Sequence, residues 1–170
     1  MHDEHWSFDN TNVAEQYNVL LMLDKSFENK EVAVRPVFHI LGGTALLFHG
    51  ISAVVTIDID TANALTDEIK EVVEPFISDN ASDVATLAKN YEQRMLRYFP
   101  DIFKNIDVYY LSIEDLVITK LGAGRAKDIE DLTKTDLLQK CDMGKLLNIM
   151  ITELPSETCS LLSQRLDKLM

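Results

Sequence analysis

The residues with the clearest chemical potential are Asp58 and Asp60. They close the stretch 53–60, AVVTIDID, whose alternation predicts a strand with Val55, Ile57 and Ile59 on one side and Thr56, Asp58 and Asp60 on the other. Two carboxylates at i and i+2 face the same way and repel. A hard divalent cation removes that conflict, and Mg²⁺ takes one or two carboxylates and completes its shell with water and substrate phosphates. A solvated acidic strand end is the alternative reading of such a pair. Upstream, Gly42-Gly43-Thr44 follows the apolar run 37–41 at a strand-to-helix turn. Glycines let backbone N–H groups approach an anion, and a helix N-terminus adds a favourable dipole. Thr44 adds a hydroxyl donor. A phosphate-binding turn beside a metal-binding pair makes a nucleoside-triphosphate site. Asp107, early on a further predicted strand, would supply a third carboxylate, and three carboxylates would hold two Mg²⁺ ions for an in-line phosphoryl displacement. One ion would neutralise the triphosphate and the other would activate the attacking hydroxyl.

Cationic partners lie further along. Lys120 falls about two turns into a helix opened by Ser112, where a compact charge facing a carboxylate-lined cleft suits a triphosphate. A solvated helix lysine is the alternative. Arg125, Lys127, Asp128 and Asp131 follow the break at Gly122-Ala123-Gly124. They read equally as a surface ion-pair cluster with Asp128 near a helix N-terminus.

The elements that must position these groups alternate. Residues 12–30 place Val13, Tyr17, Leu20 and Leu21 at helical spacing, and 37–41 is a short apolar strand ending at the Gly-Gly turn. A short helix over 44–49 closes at Gly50, and 65–78 returns to helical period with Thr66 as N-cap and Pro75 as a kink or stop. Residues 84–97 read as weakly helical, and 105–111 as a third strand in which one of Tyr109 and Tyr110 faces the core. From Ser112, with Asp115 completing a capping box, the pattern is helical to the end, broken at 122–124, 142–144 and Pro155. The last segment, 145–170, reads as core packing or as a partner interface. This order predicts an α+β, α/β-like fold with a small mixed sheet flanked by helices and a helical tail. Residues 1–112 would form the α/β core with its N-terminal helix, and 113–170 a helical part packed on it in one compact unit.

The 170 residues carry 28 Asp+Glu against 16 Lys+Arg, a net charge of −12, with 46% hydrophobic residues. The apolar fraction is that of a folded domain, and the acidity argues against a broad basic face for nucleic acid. No apolar run reaches the ~18 residues of a membrane span. The acidic N-terminus MHDEHWSFDN has no apolar core of a signal peptide, so a cytoplasmic setting is expected. Cys141 and Cys159 carry no motif and read as ordinary buried thiols; His39 and His49 read as structural, as do Glu114 and Asp131.

The run 41–60, LGGTALLFHGISAVVTIDID, resembles the first motif of the nucleotidyltransferase superfamily, in which a Gly-Gly or Gly-Ser turn precedes a strand bearing Asp-x-Asp. Residues 111–132, LSIEDLVITKLGAGRAKDIEDL, look like the later motifs of AbiEii-type nucleotidyltransferases of bacterial abortive-infection and toxin–antitoxin systems. The likeness rests on the acid and leucine before Lys120 and on the Arg-x-Lys-Asp-hydrophobic-x-Asp run from Arg125 to Asp131. It implies a Mg²⁺-dependent enzyme that moves a nucleoside monophosphate from a triphosphate to a hydroxyl of an RNA, protein or small molecule. It implies that Gly42, Gly43, Thr44, Lys120 and Arg125 bind nucleotide, that Asp58, Asp60 and Asp107 hold metal, and that Asp128 acts as a base or orients Lys120 and Arg125. A cognate antitoxin or a second copy is the expected partner, and the acidic charge disfavours an RNA acceptor. The chain departs from the pattern at Val54, where relatives often carry arginine, and in its short tail. Both departures favour the alternative of a catalytically degenerate binding or regulatory protein on the same fold.

Overall fold

A computed structural model describes residues 11–51 and 58–170. Helix α1 (Thr11–Ser26) buries Leu20 and Leu23. Strand β1 (Val37–Leu41) runs directly into α2 (Gly42–Phe48), so the two glycines expected to form a turn ahead of the helix instead begin it. Gly42 has a φ of +67°, a backbone that L side chains rarely adopt. Of the strand expected over 53–60, the part up to Ile57 lies outside the described residues, together with Val54 and Thr56. Its end belongs to β2 (Ile59–Thr61), with Ile59 buried and Asp58 exposed.

Helix α3 (Asp67–Val73) starts where Ile69 N–H donates to the Thr66 hydroxyl at 3.4 Å and stops before Pro75. Residues 77 and 78, expected as its continuation, are instead strand β3 (Ile77–Ser78). The weakly helical reading of 84–97 is also corrected. Only α4 (Ala81–Val84) and a 3₁₀ turn (Tyr91–Arg94) wind there, and β4 (Leu96–Arg97) joins the sheet. The turn is held by Arg94, whose Nε and Nη2 donate to Asp115 at 2.8 and 2.9 Å and whose Nη1 donates to Glu153 at 2.7 Å. Strand β5 (Asp107–Tyr110) buries Val108 and Tyr110 and leaves Tyr109 half-buried.

The remaining helices are α5 (Ile113–Ala123), α6 (Ala126–Thr133), α7 (Leu137–Lys140), α8 (Met143–Glu153) and α9 (Ser156–Asp167). Ser112 caps α5: its oxygen accepts from Asp115 N–H at 3.1 Å, and its hydroxyl donates to the Asp115 carboxylate at 2.6 Å. Helix α5 is the spine of this half. Leu116, Val117, Ile118 and Leu121 have no exposure, and α2, α6, α7, α8 and α9 all pack on it. Both cysteines are half-buried rather than buried.

The sheet is mixed, in the order β3-β2-β1-β5-β4. Strand β1 runs parallel to β5 and antiparallel to β2, with Val37 opposite Asp107 and Leu41 opposite Asp60. Phe38, Ile40, Val108 and Tyr110 form its buried face, and His39 and Tyr109 lie on the other. This α+β arrangement is consistent with a nucleotidyltransferase-like fold, and it sets which ends of the strands can share a site.

Candidate functional site

Gly42 and Asp60 meet because β1 and β2 are antiparallel neighbours. A Cβ built on Gly42 would lie 3.6 Å from Asp60 Oδ2, so the carboxylate rests against bare backbone where α2 begins. Thr44 lies on the inward side of α2 without exposure, and its hydroxyl donates to the Asp58 carbonyl at 3.2 Å. That bond ties α2 to the start of β2. The hydroxyl expected to face phosphate is therefore turned into the fold. Gly43 is half-buried between them.

The second wall comes from α5 and α6. Lys120 is a buried cation, with Nζ donating to Asp131 Oδ2 at 2.7 Å and Asp128 Oδ1 at 3.2 Å. Asp128 also accepts from Arg125, from Nε at 2.8 Å and from the backbone N–H at 3.3 Å. The Arg125 side chain remains 77% exposed, whereas the Asp128 side chain is 3% exposed. The helix break allows this. Gly124 takes φ +62° and ends α5, and α6 restarts at once, turning Arg125 back over the end of α5.

These walls enclose a cleft of about 390 Å³ lined by Gly42, Asp60, Lys120, Arg125 and Asp128, with Ala81, Val84, Ala85 and Thr86 closing a third side. The fit of that side depends on Gly122, where a Cβ would lie 2.1 Å from Thr86 Oγ1. The electrostatics mark the same place. Burial raises the Asp60 pKa above the ordinary carboxylate range and Asp58 adds to the shift, while Arg125 and Lys120 oppose it. Burial would also raise Asp128, but its hydrogen bonds and charge interactions with Arg125 and Lys120 outweigh that and hold it low. Asp128 and then Asp60 raise the Arg125 pKa in turn.

Asp107 is elsewhere. The β1–β5 register sets it beside Val37, whereas Asp60 sits beside Leu41. Four residues of strand separate the two levels, about 13 Å along the sheet at ~3.3 Å per residue. Its carboxylate pairs with Arg97 at 2.7 Å and Arg35 at 3.1 Å. Spacing along the chain shows that Asp107 opens a strand. It does not show that parallel pairing with β1 puts that opening at the end of the sheet away from Gly42.

The carboxylates left for a cation are thus Asp60, which lines the cleft, and the exposed Asp58, which interacts with it electrostatically. Two carboxylates in charge conflict suit one hard cation whose remaining shell is water and phosphate oxygen. Among the described residues, no group of three or more His, Cys, Asp or Glu could hold a metal ion. Asp131, expected from the sequence to be structural, takes part in this charge network by accepting from Lys120. Its helical spacing from Asp128, i to i+3, puts both on one face of α6 and was the signal available.

A family model described as nucleotidyltransferase of unknown function (DUF6036) matches residues 18–168. No curated protein and no solved structure matches the chain significantly.

Proposed function

The chain belongs to this nucleotidyltransferase family, and from that premise we propose that it is a Mg²⁺-dependent enzyme transferring a nucleoside monophosphate to an acceptor hydroxyl. The observation that carries the reading is convergence. Gly42, Asp60, Lys120, Arg125 and Asp128, drawn from segments up to 86 residues apart in number, line one cleft. Arg125 meets the triphosphate as the exposed cation. Lys120 and Asp128 act behind it, the lysine as a buried counter-charge and the aspartate as the anchor that aims the guanidinium. Asp58 and Asp60 would hold one Mg²⁺ ion, which when bound supplies charge neutralisation at the phosphates. The acceptor oxygen bonds to the α-phosphorus, the bond from that phosphorus to the bridging oxygen breaks, pyrophosphate leaves, and the hydroxyl proton passes to solvent.

The likeness of residues 111–132 to AbiEii-type enzymes supports a place as the toxin-type member of a bacterial toxin–antitoxin or phage-defence pair. A cognate antitoxin or a second copy would then be its partner in the cytoplasm. Among the described residues, no helix is long and apolar enough to cross a membrane. With a net charge of −12, a protein or small-molecule hydroxyl suits the surface better than a long RNA. A second reading, a degenerate member that binds nucleotide without transferring it, is favoured by the position of Asp107. Incubating the protein with each α-³²P-labelled ribonucleoside triphosphate, Mg²⁺ and a cell extract separates the two. Transfer predicts a labelled acceptor that is lost in Asp60→Asn, and binding without label supports the second reading.

A further inference from the structure

Helix α9 does more than cover the core. Arg165 reaches from it to the C-terminal end of α5, where Nη1 donates to the carbonyls of Leu121 at 2.6 Å and Gly122 at 3.0 Å. Carbonyls in the last turn of a helix have no intrahelical donor, and a cation there also complements the helix dipole. The approach requires a glycine. A Cβ on Gly124 would lie 2.6 Å from Nη1 and 2.8 Å from Cζ of Arg165. The guanidinium is therefore seated against the turn that ends α5. The same turn is tied back to the cleft, since Gly124 N–H donates to the Lys120 carbonyl at 3.0 Å, and the next residue is Arg125.

We infer that Arg165 is a positioning residue for the nucleotide-binding rim. It fixes the turn over residues 122–124, and so the direction in which Arg125, anchored on Asp128, faces the cleft. This makes the last helix part of the binding unit although Arg165 is not among the residues lining the cleft. The inference rests on the reading of that cleft as a triphosphate site.

The test uses the full chain as wild type, Arg165→Ala, Arg165→Lys, Arg125→Ala and the Arg125→Ala/Arg165→Ala pair, each shown to be folded by urea titration. Each is titrated with Mg²⁺ and the four ribonucleoside triphosphates. Arg165→Ala should weaken binding about tenfold, the scale of one charge-assisted hydrogen-bonding group. Arg165→Lys should recover most of that loss, and Arg165→Ala should add nothing once Arg125 is gone. Equal affinity of Arg165→Ala and wild type, or full additivity with Arg125→Ala, overturns the inference. If Arg165→Ala does not fold, Arg165→Gln against Arg165→Lys carries the same comparison. The Arg125 Nε–H resonance of the ligand-free protein separates the two failures. It should be protected from exchange in wild type and exposed in Arg165→Ala. If wild type binds no triphosphate the cleft reading falls, while an unchanged Arg125 resonance in Arg165→Ala overturns the positioning role.

Discussion

The Lys120 ammonium lies 2.7 Å from the carboxylate of Asp131, across the break between α5 and α6, with each side chain only 8% exposed. Asp128 takes a second bond from the same nitrogen at 3.2 Å. The lysine is thus balanced inside the protein, which leaves Arg125, 77% exposed, as the accessible cation lining the cleft. The pair also joins the two helices that form one wall of the cleft.

Removing the ammonium should be costly. Lys120→Met leaves Asp128 and Asp131 buried with less compensation, and a broken buried pair typically costs about 3–5 kcal/mol. Lys120→Met/Asp131→Leu should recover much of that loss, because Asp128 retains Arg125. Urea unfolding of the two variants checks this, and equal destabilisation would show that the ion pair does not set the cost.

Asp107, with its own side chain 18% exposed, should act in surface ion pairs away from the cleft. Its partners Arg35 and Arg97 are 49% and 44% exposed, so Asp107→Asn should cost less than ~1 kcal/mol in thermal or urea unfolding. It should leave Mg²⁺-dependent triphosphate affinity at the wild-type value. A loss as large as that of Asp60→Asn would return Asp107 to the site.

That expectation reverses a reading of the sequence, and the reason is physical. Short-range signals were legible: the caps at Thr66 and Ser112 act through residues three positions on, and the apolar run Val37–Leu41 and the helix break at 122–124 show in composition alone. Strands β3 and β4 have two residues each, too few to show a period. The Arg94 bonds to Asp115 and Glu153 that shape residues 91–97 span 21 and 59 positions. The place of Asp107 opposite Val37 is set by register, and the inward turn of the Thr44 hydroxyl by the packing of α2. Neither a strand's pairing partner nor the face a short helix buries is written in spacing alone.

The third wall of the cleft should be sensitive to one methyl group. In Gly122→Ala the new Cβ would lie 2.1 Å from Thr86 Oγ1 and 2.4 Å from Thr86 Cβ, so the segment from Ala81 to Thr86 must move away from α5. Overpacking of this kind costs about 1–3 kcal/mol. Adding Thr86→Gly should restore part of the stability measured by urea unfolding, and no recovery would locate the strain elsewhere.

His39 should make stability fall on acidification. Its ring packs against Tyr91 and Tyr109, and its Nδ1 lies 2.9 Å from the Tyr91 hydroxyl. Burial lowers its pKa below 6.5, with Glu92 pulling the other way. As pH drops below 6.5 the unfolded chain takes up the proton first, so stability holds above that value and declines between it and the lower folded pKa. The slope from one group is at most ~1.4 kcal/mol per pH unit. Urea unfolding from pH 8 to pH 5 should show a shallower decline for His39→Gln, and parallel curves would remove His39 from the account.

The most direct test of the cleft as a metal–triphosphate site is calorimetry of the four ribonucleoside triphosphates against wild type and Asp58→Ala/Asp60→Ala, with and without Mg²⁺. At least one triphosphate should bind wild type only with Mg²⁺ present, and the folded double variant should lose that binding. Intact, equal affinity in the double variant would contradict the assignment.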